Sequence, residues 1–201
     1  MIITDESAAE FQALMKKHYG VEYSMEEARD AAANFMGLME VLWESHCREQ
    51  KRLERLKLEP QGFHLEEDGT YQCCICDQYV GREETWYDRS GTKCVVCQAA
   101  IDKKIIPRYV CKNKNAWYSL WELFHYFGVR SQTALKFVRQ GKLKVRTVPN
   151  ANGTTRVHLF LLKDNPEVLP NKPRSRQVMR ADGTVTIEYE KVSFPLLGGG
   201  A

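Results

Sequence analysis

The sequence predicts an α+β chain built from several small modules. These are an N-terminal helical hairpin, a four-cysteine module, a pair of short helices followed by a two-stranded wing, and a C-terminal β-hairpin. Three observations predict it. Apolar residues recur at helical spacing through the first 60 residues. Cys73-x2-Cys76 and Cys94-x2-Cys97 form two pairs with 17 residues between them. Residues 108–163 carry 11 Lys and Arg against one acid, Glu122, although the whole 201-residue chain has a net charge of only +3. The module bounds are 1–60, 61–107, 108–164 and 165–201.

The first helix is expected over 5–19, with Phe11, Leu14, Met15 and His18 at helical spacing and Gly20 as its stop. Ser24 and Glu27 form a capping box, in which each side chain satisfies the other residue's orphan backbone N–H. A second helix then runs over about 25–56, with Ala28, Ala32, Phe35, Met39, Leu42 and Cys47 as its apolar stripe. Arg48, Lys51, Arg52 and Arg55 line one side of its last third and read as a solvated face. Two helices cannot bury such stripes alone, so they are expected to pack on each other, on the rest of the chain or on a second copy, and a homodimer through this region is a further expectation.

The cysteine spacing is that of a four-thiolate zinc site. Each Cys-x2-Cys turn points two thiolates at one ion, and two such turns complete the tetrahedron that Zn²⁺ prefers. Cys73, Cys76, Cys94 and Cys97 are the expected ligands. Cys74 is set aside because Cys74-x-Cys76 is too short for the usual knuckle. Residues 79–91 read as a hairpin with a polar turn at Asp88-Arg-Ser-Gly91, and Gln98-Ala-Ala-Ile starts a helix. Knuckle, hairpin and a knuckle leading into a helix resemble a treble-clef zinc finger. Four thiolates close the coordination sphere, so the zinc is expected to be structural. Some treble-clef proteins are nucleases, but no histidine lies between His64 and His125 to serve as a general base. Three cysteines are left over, Cys47, Cys74 and Cys111, and the odd total of seven fits a reducing compartment. The start of the chain is acidic, without a basic-then-apolar leader, and no apolar run approaches the ~18 residues of a membrane span. The expected location is cytoplasmic and nucleoid-associated.

In the basic segment, Ser119 and Glu122 form a second capping box. Leu120, Leu123, Phe124 and Phe127 follow at helical spacing, and Gly128-Val129 makes a turn. A further helix is expected over 132–140, capped by Ser131, with Leu135 and Val138 inward. Residues 142–148 and 155–161 alternate polar and apolar around the 149–153 turn, as two half-exposed strands should. The run Trp117-Tyr-Ser-Leu-Trp-Glu-Leu, the Gly128-Val129 turn and the Arg139-Gln-Gly-Lys-Leu143 exit resemble the excisionase-like branch of the MerR-type winged helix-turn-helix family, over 117–162. Bulky Phe124 and His125 depart from that pattern, where small residues are common.

That resemblance implies a recognition helix in the major groove and a wing on the neighbouring backbone. The residue types agree. Arg130, Ser131, Gln132 and Thr133 stand at the helix start, where Gln and Thr can read base edges. Lys136 and Arg139 face the same side. Lys142, Lys144, Arg146 and Arg156 are candidates to neutralise phosphates. His125 and His158 read as packing or surface residues.

Residues 165–173, with three prolines, read as a linker, and 176–180 with 184–194 as a hairpin around an Asp-Gly turn. Lys172, Arg174, Arg176 and Arg180 read as a solvated stretch. Gly198-Gly-Gly-Ala201 reads as a flexible end. No Walker loop, nucleophile elbow or His-Glu metal motif occurs, so a non-enzymatic role is expected. The functional expectation is a zinc-containing protein that binds double-stranded DNA, as a transcriptional regulator or an excisionase-like architectural factor positioning a recombinase. The alternative is a non-catalytic adaptor in a larger nucleoprotein complex.

Overall fold

The computed structural model describes residues 3–66, 69–150, 152–180 and 183–197. The chain divides into two compact units, Met1–Pro60 and Gln61–Ala201. Among the described residues there are five α-helices and four small antiparallel sheets. No helix among them is long and apolar enough to cross a membrane.

The first unit is a helical hairpin. Helix α1 spans Asp5–Tyr19 and α2 spans Met25–Leu58. Thr4 caps α1, and Gly20, in the left-handed conformation at φ 69°, ends it. The Ser24–Glu27 capping box forms in both directions at the start of α2. Ala8, Ala28 and Ala32 are buried where the helices meet, and Asp5 pairs with Arg29. The expected stripe does not stay inside. Phe35, Met39 and Leu42 are about half exposed. α1 is less than half the length of α2, so it cannot cover the later turns.

In the second unit, strands β1 (Tyr71–Gln72) and β2 (Tyr79–Val80) form a short ribbon. Strands β3 (Thr85–Asp88) and β4 (Gly91–Cys94) form the next, and β4 leads into α3 (Val95–Asp102). That helix begins three residues before the expected Gln98, because Cys94 itself is its N-cap. Phe63 bridges to Tyr87, and Gly62 makes this approach possible. At φ 105°, a Cβ on Gly62 would lie 2.6 Å from both the Trp86 indole nitrogen and the Tyr87 carbonyl oxygen.

Strand β5 (Trp117–Tyr118) precedes helices α4 (Leu120–Phe127) and α5 (Ser131–Arg139). The Ser119–Glu122 box caps α4. Gly128, at φ 68°, turns the chain with Val129 N–H donating back to Leu123. Helix α5 starts one residue earlier than expected. Arg130 takes the cap position and makes no side-chain cap bond, so Ser131 is the first helical residue. The inward residues of α5 are Ala134, Phe137 and Val138, while Leu135 lies outside that cluster. Strands β6 (Arg146–Pro149) and β7 (Thr155–Leu161) follow, and the sheet order is β5-β7-β6.

Strand β7 is a wall between two cores. Side chains alternate across a strand. Leu159 and Leu161 join Trp117, Val148, Ala100 and the cysteines on one face. Phe160 joins Tyr118, Leu123, Val129 and Ala134 on the other. The cysteine module and the strands after the helix pair therefore share one hydrophobic core.

The proline-rich 165–173 stretch is packed in place. Asn165 is buried; it accepts from Lys144 N–H at 2.7 Å and donates to the carbonyls of Lys144 and Leu161 at 2.9 Å. Leu169 enters the helix-pair core, and the Tyr118 hydroxyl donates to the Pro170 carbonyl. Strands β8 (Ser175–Met179) and β9 (Val185–Tyr189) form the C-terminal hairpin, whose Ala181-Asp182 turn lies outside the described residues, as does the glycine-rich end. Phe194 returns to pack on Phe127 and Phe137.

The β3–β4 turn was expected to be polar. Its Asp88 is 2% exposed, and it pairs at 2.6 Å with Lys93, which is wholly buried. Asp88 Oδ1 also accepts from the Ser90 N–H, and Lys93 also donates to the Gly91 carbonyl. Breaking a buried pair leaves one charge without compensation. Lys93→Ala or Asp88→Ala is expected to cost about 3–5 kcal/mol in urea unfolding of the metal-loaded protein. A cost under ~1 kcal/mol from both changes would show that the pair carries no net stability.

Candidate metal centre and basic face

The first knuckle is set by backbone hydrogen bonds. Cys73 N–H donates to Gln78, and Asp77 N–H donates back to Cys73. Asp77 takes a left-handed conformation at φ 55°, which swings the chain around the ligand position. The second knuckle is the start of α3. Cys94 Sγ accepts from Cys97 N–H at 3.4 Å, so the helix N-terminus points its amides at the sulfurs and favours their negative charge.

The two knuckles bring Cys73, Cys76, Cys94 and Cys97 together, with the four sulfurs all within 4.8 Å of one another. Cys76 Sγ and Cys94 Sγ lie 3.9 Å apart. A tetrahedron with Zn–S bonds of ~2.3 Å has S···S edges of about 3.8 Å. Donor set and spacing therefore fit one ion such as Zn²⁺. Cys73, Cys94 and Cys97 are buried and Cys76 is half-buried. Bound there, a zinc ion supplies cross-linking of the two knuckles.

The thiols already share charge unevenly. Hydrogen bonds from Cys76, Cys94 and Cys97 hold Cys73 far below the usual thiol range. Hydrogen bonding to Cys73 pushes Cys94 and Cys97 well above it. The cluster thus keeps protons that an ion must displace. Cys74 points elsewhere. Its N–H joins Thr92, and its thiol is hydrogen-bonded to Cys111, which pushes Cys74 up and Cys111 down.

The ten residues expected at a nucleic-acid face separate into two groups. Arg130, Ser131, Gln132, Lys136, Arg139, Lys142 and Lys144 are exposed, and Thr133 is half-buried. The five cations in this group have no ion pair among the described residues. Arg146 is engaged in the protein, bidentate to Asp164 at 2.7 and 3.3 Å and donating to the Ile105 carbonyl. The signal for this was present: Arg146 shares a strand face with buried Val148.

Arg156 is engaged too. The β6–β7 register passes from Val148↔Val157 to Pro149↔Thr155, which leaves Arg156 as the extra residue of a β-bulge. A bulge re-aims its side chain, and the nearby Cys76 sulfur raises the pKa of the Arg156 guanidinium. Alternation alone would have sent it to solvent. Glu122, the one acid of the basic segment, both caps α4 and pairs with Lys172 at 2.5 Å. Lys172 is consequently docked beside Trp117 and Tyr118.

No protein family, no curated protein and no solved structure matches this chain.

Side chains that support metal ligands from outside typically change affinity ten- to a hundredfold when removed. Arg156→Gln is expected to weaken zinc retention by ~10-fold or more in competition with a chromogenic chelator, and unchanged retention would exclude a supporting role. Because ion binding displaces thiol protons, zinc affinity is expected to fall as pH is lowered from 8 to 6. Calorimetry in buffers of different ionisation heat should show net proton release.

Proposed function

We propose that this chain is a zinc-stapled DNA-binding protein. In this reading, 117–162 is an excisionase-like winged helix-turn-helix, α5 enters the major groove and the β6–β7 hairpin is the wing. Its role is that of a transcriptional regulator or an architectural factor that positions a recombinase. One observation carries the reading. Arg130, Lys136, Arg139, Lys142 and Lys144 project from the cap of α5, the helix itself and the turn after it into solvent, and the one acid of the segment is already bound to Lys172. An uncompensated cluster of cations around an exposed short helix is the electrostatic footprint of a phosphate-binding surface.

Within the cluster the residues divide by chemistry. Gln132 and Thr133 sit at the start of α5, where side chains can reach base edges. Gln132 has the bidentate geometry for adenine. Lys136 and Arg139 lie one and two turns on, and Lys142 and Lys144 follow in the exit loop, placed for the flanking phosphates. Arg146 and Arg156 serve the scaffold instead. The ion would hold the cysteine module against the face of β7 opposite α4 and α5, fixing the wing's angle to the helix pair.

A second reading is favoured by the apolar surface of α2, which suits a non-catalytic adaptor in a larger nucleoprotein complex. The two separate by salt dependence. Direct binding with four to five phosphates neutralised should show log K falling against log salt with a slope of roughly −4. Selection from a random duplex pool is expected to return a short motif. Lys136→Ala/Arg139→Ala should reduce affinity at least ~10-fold and flatten the slope by one to two units. Weak binding without a motif, by folded and zinc-loaded protein, would favour the adaptor.

A further inference from the structure

From Phe35 to Trp43, seven of nine residues are large and apolar. All seven are substantially exposed: Phe35 50%, Met36 39%, Leu38 56%, Met39 44%, Val41 60%, Leu42 53% and Trp43 67%. At 100° per residue they wrap more than half the circumference of α2. A helix that is apolar nearly all round needs neighbours on more than one side, and α1 supplies only one.

Half-exposed side chains of this size present roughly 700 Å² of apolar surface. That exceeds the ~300–600 Å² of the largest patch on a typical monomer. It approaches the ~800 Å² that each partner contributes to a standard stable interface. Leu53, 43% exposed, continues the stripe about three turns beyond Leu42.

The charge pattern says what covers it. Residues 25–41 of α2 carry Glu26, Glu27, Asp30 and Glu40 against Arg29, net −3. Residues 42–58 carry Arg48, Lys51, Arg52, Arg55 and Lys57 against Glu44, Glu49 and Glu54, net +2. The helix is thus acidic in its first part and basic in its second, with the apolar patch where they meet. The midpoint of Met25–Leu58 falls between Val41 and Leu42, inside the patch.

A two-fold axis at that midpoint, perpendicular to the helix, does two things together. It lays the patch of one copy on the same patch of the other, as an isologous interface requires. It also sets each acidic half beside a basic half. A parallel pairing would place like charge against like. Arg52 and Arg55 already have acid neighbours, Glu49 and Glu59, so the complementarity rests on the net charge of each half and not on any free arginine.

We propose that the N-terminal hairpin is the interface of an antiparallel homodimer centred near Leu42. The inference does not depend on the DNA-binding reading. If both hold, the dimer presents two basic faces related by a two-fold axis, and the target is a pair of inverted half-sites.

The test uses the full chain, zinc-loaded and without DNA. Sedimentation equilibrium is expected to give twice the 23.2 kDa chain mass at micromolar concentration. Leu42→Glu/Trp43→Glu changes two exposed side chains and should weaken association at least ~100-fold while leaving helical circular dichroism intact. If that variant loses helicity, Leu38→Glu is the second probe of the same patch. A photo-crosslinking benzoylphenylalanine in place of Leu53 is expected to attach to the 25–35 stretch of the other copy. A monomer at 100 µM, association untouched by the glutamate variants, or attachment of position 53 to its own counterpart would each overturn the proposal. Unaltered protein that is dimeric yet binds duplex DNA weakly and without a motif would instead count against the DNA reading alone.

Discussion

Four sulfurs converging within 4.8 Å are the constraint on which the larger unit depends. Cys73, Cys94 and Cys97 lie inside the same core as Val148, Leu159 and Leu161. A core that contains a cluster of thiols is poor on its own terms. The sulfurs must either hold protons against one another or share negative charge in a buried place. An ion resolves both problems and contributes folding free energy directly. The β1–β2 ribbon and the N-terminus of α3 meet at these four sulfurs, and the ion would cross-link them. Arg156 adds a positive charge at the edge of this cluster.

From that centre, organisation passes outward through β7. Its odd residues close the cysteine core, and Phe160 closes the core beneath α4 and α5. Anything that positions the first face therefore positions the second. Asn165 works at the same junction, tying the loop before β6 to the end of β7 with three hydrogen bonds. The segment after it packs along the helix pair through Leu169, Tyr118 and Lys172. The basic surface of α5 thus stands on a scaffold braced on both sides of one strand.

Much of this was legible in the sequence because the signals were local. Both capping boxes form where Ser24 and Ser119 placed them. The cysteine pairs gather the four expected sulfurs, and the turn at Gly128 separates two helices. What was not legible depended on contacts between distant residues or on broken periodicity. Trp117-Tyr118 is a strand only because β7 offers it an edge; two residues carry no period. Asp88 appeared only as part of a polar turn, and its burial with Lys93 depends on how the hairpin packs. Arg156 was assigned to solvent because alternation holds only while the register does, and the bulge at Pro149 breaks it. Asn165 sat in a proline-rich stretch whose composition suggested a free linker, and its three partners lie on other segments. Phe35, Met39 and Leu42 were correctly seen as one stripe. Whether a stripe is covered depends on the neighbour's length, which periodicity does not encode.

The central claim is that one zinc ion, held by Cys73, Cys76, Cys94 and Cys97, organises the larger unit. X-ray absorption at the zinc edge, on protein purified without added metal and with its metal content weighed by native mass spectrometry, tests it most directly. The account predicts one zinc per chain with four sulfur neighbours at ~2.3 Å. Metal-free protein that is fully folded, or a zinc shell containing nitrogen or oxygen in place of a sulfur, would contradict it.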